Sequence, residues 1–311
     1  MTPDVNVCEV GPRDGLQMAH GRMATDTKLR WIGQLAAAGL REIEVGSFVS
    51  PRMIPQMADT GEVVRGALAI EGLTVCALAC NLKGAIAAHE AGAHVLAIPI
   101  SVSDTHSHAN VNKGTDAQVE MVRSIVDWVR AQSRPMRIDA AAATAFGCSM
   151  EGLVSRERVV QVAAALAATG VDRVALADTV GYAHPALVRD TVRAVQDAIG
   201  ARLTKLHLHD TLGLGLANAL AGLEQGIYDF DSCLAGLGGC PFAPGASGNI
   251  VTEDLVFMLE SMGHRTGIDL PALLAARALL RESLPDEPMR SGVAAAGIPQ
   301  TFSPQAALQA A

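Results

Sequence analysis

The sequence predicts an α/β chain folded as a single (β/α)8 TIM barrel with a C-terminal helical extension. Three observations carry that expectation. Eight short, mostly apolar runs alternate with longer segments of helical pattern, the signature of a parallel sheet with crossover helices. Glycine stands just past many of those segments (Gly39, Gly92, Gly170, Gly200, Gly226, Gly263), where a residue without Cβ takes the positive φ that stops a helix. The rival architecture, an open doubly wound sheet, places a glycine-rich turn after its first strand. Here that strand is followed by "GPRDGLQ", and the partial G-x-G-x-x-G match "GLGLAN" (213–218) comes only after the seventh.

In chain order the strands are expected at VNVCEV (5–10), EIEVG (42–46), TVCALA (74–79), HVLAIPI (94–100), RIDAAAA (137–143), RVALAD (173–178), KLHLHD (205–210) and DFDSCLA (229–235). The intervening helices are expected at Thr27–Ala38, Gly61–Ile70, Lys83–Ala91, Asp116–Ala131, Arg156–Thr169, Pro185–Ile199, Gly215–Gln225 and Thr252–Met262, with one more at Pro271–Arg281. "THSHANVNKG" (105–114) reads as a solvated loop rather than a second histidine metal pair, because no carboxylate-rich frame surrounds it. Residues 1–285 are expected to form one barrel domain. Residues 286–311 are expected to form a partly irregular tail rich in Pro, Gly and Ala.

Composition narrows the function classes. Of 311 residues, 50% are hydrophobic, enough for one large core. The net charge is −8 and no basic cluster stands out, so a nucleic-acid footprint is not expected. No apolar run reaches membrane-spanning length, so no membrane partner is expected. A strand pattern begins at Val5, so no signal or transit peptide is expected. The six cysteines are too few for a disulfide scaffold, and Cys8, Cys76, Cys80 and Cys233 lie inside apolar runs as buried thiols, which points to a reducing cytoplasm. Cys148 reads as structural.

A barrel of this kind carries its active site at the C-terminal ends of its strands. Polar groups collect there: Glu9, Arg13 and Asp14 after the first strand, Glu44 and Ser47 at the second, and Asp139 and Thr144 in and after the fifth. Asp178 and Thr179 end the sixth, and His207, His209 and Asp210 close the seventh. The loop "GLGGCPFAPGASGN" after the eighth adds Cys240 and Asn249, and its five glycines and two prolines suit a closing lid or an ordinary surface loop. Residues two apart on a strand share a face, so His207 and His209 stand side by side. With oxygens from Asp14 and Asn249 they form a mixed N/O set that suits Mg2+ or Mn2+, while Fe2+ and Zn2+ also fit two histidines and a carboxylate. The same spacing fits satisfied barrel histidines without a metal.

Four stretches, "VGPRDGLQ", "EVGSFVSPRMIPQM", "LHLHDTLG" and "AGLGGCPFAPGASGNIVTEDLVFML", together resemble the 3-hydroxy-3-methylglutaryl-CoA lyase family, whose barrels are related to isopropylmalate and citramalate synthases. The likeness runs from about residue 5 to residue 285. It implies that Asp14, His207, His209 and Asn249 bind the metal, Mg2+ or Mn2+, and that Arg13, His207, Cys240, Asp14 and Glu44 are catalytic. Arg13, Glu9, Asp178 and Thr179 are then substrate-binding positions, while a purely supporting role, holding Arg13 and its neighbours in place, also fits Glu9 and Glu44. The partner is an acyl-CoA substrate and the assembly a homodimer. The implied reaction is a retro-aldol (Claisen-type) cleavage of a 3-hydroxyacyl-CoA into a carbonyl product and acetyl-CoA.

Some positions depart from that pattern. His20 stands where the family carries a lysine, Leu212 and Leu214 stand where it carries Tyr and Gln, and the segment "SVSDTHSHANVNKG" differs throughout. The departures concern the pocket, so they bear on the acyl group rather than on the reaction class. 3-Hydroxy-3-methylglutaryl-CoA is the leading substrate and citramalyl-CoA the runner-up. An acetyl-CoA-dependent condensing synthase is a further alternative. Those relatives carry "HxHND" and a glutamate in the glycine loop, which "HLHDT" and "GGCPFAPGASGN" do not match. A barrel that only binds a ligand would not need the complete Arg13, Asp14, His207, His209 and Asn249 set.

Overall fold

A computed structural model describes residues 3–239 and 248–303. Its strands are β1 (Asn6–Glu9), β2 (Glu42–Ser47), β3 (Thr74–Leu78), β4 (Val95–Ser101), β5 (Arg137–Ala143), β6 (Arg173–Asp178), β7 (Leu203–Leu208) and β8 (Asp229–Ser232). They pair in parallel in sequence order, and β8 returns to β1 to close the barrel. Each expected apolar run supplies one strand. β8 stops at Ser232, because Cys233 leaves the ladder and takes its hydrogen bond from its backbone N–H to the Ile250 carbonyl instead (3.0 Å).

The helices are α1 (Leu16–Met18), α2 (Thr25–Ala37), α3 (Thr60–Ala67), α4 (Leu82–Ala91), α5 (Asp104–Val111), α6 (Thr115–Arg130), α7 (Arg156–Ala168), α8 (Pro185–Ile199), α9 (Gly215–Leu223), α10 (Thr252–Ser261), α11 (Leu270–Ser283) and α12 (Gly292–Ala296). Side chains start several of them. The Asn81 carboxamide oxygen accepts from Gly84 N (2.9 Å) ahead of α4, and Asp269 accepts from Ala272 N (2.9 Å) ahead of α11. No helix among the described residues is long and apolar enough to cross a membrane.

One segment differs from the sequence reading. The stretch 105–114 is largely helical. Ser103 Oγ caps α5 by accepting from His106 N (3.1 Å), and Asn112 closes it at φ 54°. This helix has no apolar periodicity to announce it, since only His106 and Ser107 are buried. Residues two apart on a helix point to different sides. His106 accordingly turns inward to Ser101 Oγ (2.7 Å), while His108 faces Asp104 across the exposed surface (3.4 Å), and they form no pair. In the tail, residues 286–303 are irregular apart from α12 and dock onto the barrel. Arg290 donates to the Gly236 carbonyl (2.7 Å), and Asp254 receives Ser291 Oγ (2.6 Å) and Gly292 N (2.8 Å) just ahead of α12.

The barrel interior is charged rather than filled with branched aliphatics. Alternation along the strands turns Glu42 and Glu44 of β2, Arg137 and Asp139 of β5, Lys205 and His207 of β7, and Asp229 and Asp231 of β8 inward. Their neighbours Ile43, Ile138, Leu206 and Phe230 pack outward against the helices. Lys205 Nζ lies 3.1 Å from Glu42, 2.9 Å from Asp231 and 3.6 Å from Asp229. Arg137 reaches Glu42 (2.9 Å) and Asp139 (2.9 Å), and Arg173 reaches Asp229 (3.0 Å). Asp139 therefore belongs to this lower layer and not to the strand ends where its sequence position suggested it. A cavity of about 40 Å3, bordered by Cys8, Glu42, Glu44, Cys76, Lys205 and Asp231, remains at the centre. That volume admits one or two waters.

Removing one partner of a buried ion pair strands the other. Lys205→Met is expected to lower unfolding stability by about 3–5 kcal/mol in urea titration. Arg130→Ala, which breaks the half-exposed pair to Asp172, is expected to change it by less than about 1 kcal/mol. Equal effects from the two substitutions would show that the interior charges are well hydrated.

Candidate active site

The site is assembled from β1, β2, β7 and the segment that follows β8. β1 runs into a single turn of π-helix, Gly11–Gly15, in which Asp14 N and Gly15 N both point to the Val10 carbonyl (2.7 and 3.5 Å). The turn packs so closely that a Cβ on Gly11 would lie 2.5 Å from Glu9 Oε1 and 2.9 Å from the Trp31 ring. This turn directs Arg13 and Asp14 together over the barrel mouth. Arg13 donates Nε to Glu44 on β2 and Nη1 to Asp14 (2.5 Å), while its Nη2 has no hydrogen bond among the described residues. Burial opposes the charge on Arg13, but Asp14 and Glu44 outweigh it and hold the guanidinium above its ordinary range.

Across the mouth, His207 and His209 leave β7 on the same face. Their Nε2 atoms are 3.1 Å apart, and each is 3.8 Å from Asp14 Oδ2. Asn249 is brought in by a short return of chain along β7. Its Nδ2 donates to Asp14 Oδ2 (2.7 Å), Asp210 N donates to the Gly248 carbonyl (2.8 Å), and Ile250 N donates to the Leu208 carbonyl (3.1 Å). Burial alone would raise the Asp14 carboxyl. Arg13 and the two histidines reverse that and hold it well below the usual carboxylate range.

These atoms suit a divalent cation. One atom each from Asp14, His207 and His209 lies within 4.8 Å of the other two, and Asn249 Oδ1 is buried with no hydrogen-bond partner among the described residues. One carboxylate oxygen, one amide oxygen and two imidazole nitrogens make a mixed, non-thiolate donor set. A second buried group, Cys8, Glu42 and Cys76, is also compact, but its one carboxylate, Glu42, is already paired with the Lys205 ammonium (3.1 Å).

Other residues singled out from the sequence take different places. Glu9 is fully enclosed. Its Oε1 accepts from Gly11 N (2.8 Å) and Leu234 N (2.9 Å), and its Oε2 accepts from Thr252 Oγ1 (2.7 Å). Burial pushes its carboxyl up to about 7, while those hydrogen bonds pull the other way. Glu9 thus clamps the start of the Arg13 turn to the chain after β8, and neither oxygen is left for a substrate. Asp178 accepts from Tyr182 N (3.0 Å) and Ala183 N (3.1 Å), and burial raises its carboxyl to about 6. Thr179 Oγ1 accepts from Thr144 N (2.8 Å) and helps hold Thr144 at φ 59°. Asp210 caps α9 by accepting from Gly215 N (2.8 Å). Cys240 lies outside the described residues. The sequence reading missed Asp231, whose Oδ2 lies 3.2 Å from His207 Nδ1. Its inward register on β8, opposite His207, was the available signal.

A closed (β/α)8 barrel that gathers an arginine, an aspartate, an asparagine and two histidines at its strand ends has the frame of a metal-assisted barrel lyase. The sequence matches the HMGL-like family model over residues 4–280, and the chain belongs to that family. It is 40% identical over 280 residues to a hydroxymethylglutaryl-CoA lyase of Bacillus subtilis, covering 90% of this chain and 93% of the relative. The crystal structure of a B. subtilis HMG-CoA lyase superposes with a TM-score of 0.90 at 38% identity, covering 95% of this chain and 98% of that one. An HMG-CoA lyase from Acinetobacter baumannii, solved with coenzyme A and 3-methylmalate, gives a TM-score of 0.90 at 40% identity, over 97% and 99% of the two chains.

The Glu9 clamp can be tested apart from chemistry. Glu9→Gln puts an amide donor against N–H and O–H donors, so unfolding stability should fall by about 1–3 kcal/mol in urea. Unchanged stability would mean that the clamp is dispensable and would return Glu9 to the list of groups free for substrate.

Proposed function

We propose that the chain is a hydroxymethylglutaryl-CoA lyase, cleaving 3-hydroxy-3-methylglutaryl-CoA to acetoacetate and acetyl-CoA. The observation that carries this reading is the convergence of Asp14, His207, His209 and Asn249 beside Arg13, in a chain 40% identical to such a lyase over nearly its whole length. A divalent cation, Mg2+ or Mn2+, held by those four residues would act as a Lewis acid toward the C3 hydroxyl. The C3 hydroxyl proton passes to a base, for which the Asp14 carboxylate, facing the point of convergence, is the group with a lone pair to spare once both imidazoles hold the metal. The bond between C2 and C3 breaks, and its electron pair moves into the thioester enolate. Arg13, locked by Glu44 and Asp14 with Nη2 free, is positioned to meet the developing negative charge. Protonation of C2 completes acetyl-CoA, and we assign that proton to Cys240 on the family likeness.

The coenzyme portion needs a cationic landing site near the same barrel end. An open groove of about 580 Å3 runs between the start of α4 and the start of α6, and Lys83 and Lys113 flank it with Asn81 between strand and helix. We propose that it receives the phosphates of CoA. At the mouth itself Leu212 and Leu214 are exposed and offer no polar partner to an acyl arm.

The test is CoA release from 3-hydroxy-3-methylglutaryl-CoA and from citramalyl-CoA, before and after metal stripping. Cleavage of the first ester that vanishes on chelation and returns with Mg2+ or Mn2+ is expected. Full activity of stripped protein, or a kcat/KM tenfold higher for citramalyl-CoA, would overturn the metal or the substrate assignment respectively. Lys83→Glu with Lys113→Glu should raise KM for the ester by about tenfold or more with kcat little changed, as loss of uniform binding does. A KM unmoved by both substitutions would place the phosphates elsewhere.

A further inference from the structure

The two imidazoles at the mouth are held unequally. His209 Nδ1 is buried and has no hydrogen-bond partner among the described residues. His207 Nδ1 instead lies 3.2 Å from Asp231 Oδ2, and the other Asp231 oxygen lies 2.9 Å from Lys205 Nζ. Lys205 is in turn fixed by Glu42 (3.1 Å) and stands 3.6 Å from Asp229. Lys205 and His207 are both on β7, two residues apart on the inward face, and Asp231 is the residue of β8 paired with His207 in the ladder. Asp231 is therefore placed by backbone register, gripped from below by an ammonium, and aimed at one specific nitrogen.

An ionised carboxylate has only acceptors, so the group facing it must donate. That makes Nδ1 the protonated nitrogen of His207 and leaves the lone pair on Nε2, the atom that faces His209 and Asp14. A metal-binding imidazole needs that arrangement, and a carboxylate behind it also raises its basicity. The ammonium matters to the argument because a protonated or swung-away carboxyl would release the tautomer. Lys205 opposes both, since its own alternatives, Glu42 and Asp229, are already shared with Arg137 and Arg173.

We propose that Asp231, backed by Lys205, is a positioning residue that locks His207 as the Nδ1–H tautomer and so presents its Nε2 lone pair to the metal. The proposal rests on the reading of Asp14, His207, His209 and Asn249 as metal ligands. It extends the working site one layer down into the barrel interior.

Metal-free protein labelled with 15N-histidine, with His207 assigned by the signals lost in His207→Gln, reports the tautomer directly through two-bond nitrogen–proton correlations at alkaline pH. The expected spectrum shows neutral His207 protonated at Nδ1, whether or not the metal reading holds. An Nε2–H form in the unaltered protein would overturn the proposal without recourse to any variant. Calorimetric titration with Mn2+ then supplies the second readout. Asp231→Asn should weaken Mn2+ binding by about 10–100-fold and mix the tautomers, with Asp231→Glu recovering part of the loss. Binding of Mn2+ to Asp231→Asn within twofold of the unaltered protein would overturn it. Absence of any Mn2+ binding by the unaltered protein would instead count against the metal reading, while the spectrum still judged the tautomer.

Discussion

A charge inside a protein must be answered by an opposite charge at close range, and in this barrel the answering charges come from different strands. Lys205 of β7 meets carboxylates of β2 and β8, and Arg137 of β5 meets β2 again. A slip in register here would move the whole inward set outward and leave ammonium and carboxylate groups unpaired in the core, because side chains alternate with a period of two. The ionic layer thus holds the strands at the heights needed for His207, Asp231 and Glu44 to meet above it.

The layer at the barrel mouth uses the same logic with fewer parts. Arg13 does not reach into the mouth as a flexible side chain. Glu44 and Asp14 hold two of its three nitrogens, so one edge remains for a ligand. Asp14 is pulled to ionisation by that arginine while Asn249 and the histidines surround its other oxygen. Such an arrangement has little reorganisation left to do when charge develops in a transition state, which is where preorganised sites gain their rate. Glu9, buried below the turn, contributes no contact with the mouth. It fixes the angle at which the turn leaves β1.

Much of this was legible in the residues. The eight runs located the eight strands, and the histidine pair on a common strand face declared itself by spacing alone. The family motifs marked Arg13, Asp14 and Asn249, whose meeting depends on contacts across more than 200 residues that no local pattern reveals. The charged interior was harder to read, because Glu42, Lys205 and Asp229 sit at the edges of apolar runs and look like solvent-facing strand ends. Only the inward register turns them into a core. Asp231 does not stand out for that reason, and the supporting place of Glu9 under the Arg13 turn depends on Leu234 and Thr252, partners distant in sequence. Helix α5 was hidden because a capped polar helix lacks the apolar stripe by which helices are recognised.

The site lies across the seam where β8 joins β1, so its first and last parts are separated by nearly the whole chain: Asn249 bonds to Asp14, and Thr252 to Glu9. During synthesis some 250 residues must therefore emerge before Asp14 and Asn249 can meet. Half-barrels and nascent chains, however well ordered their helices, hold the arginine turn without the residues that complete it. The full set of Asp14, His207, His209 and Asn249 is therefore a property of the finished circle.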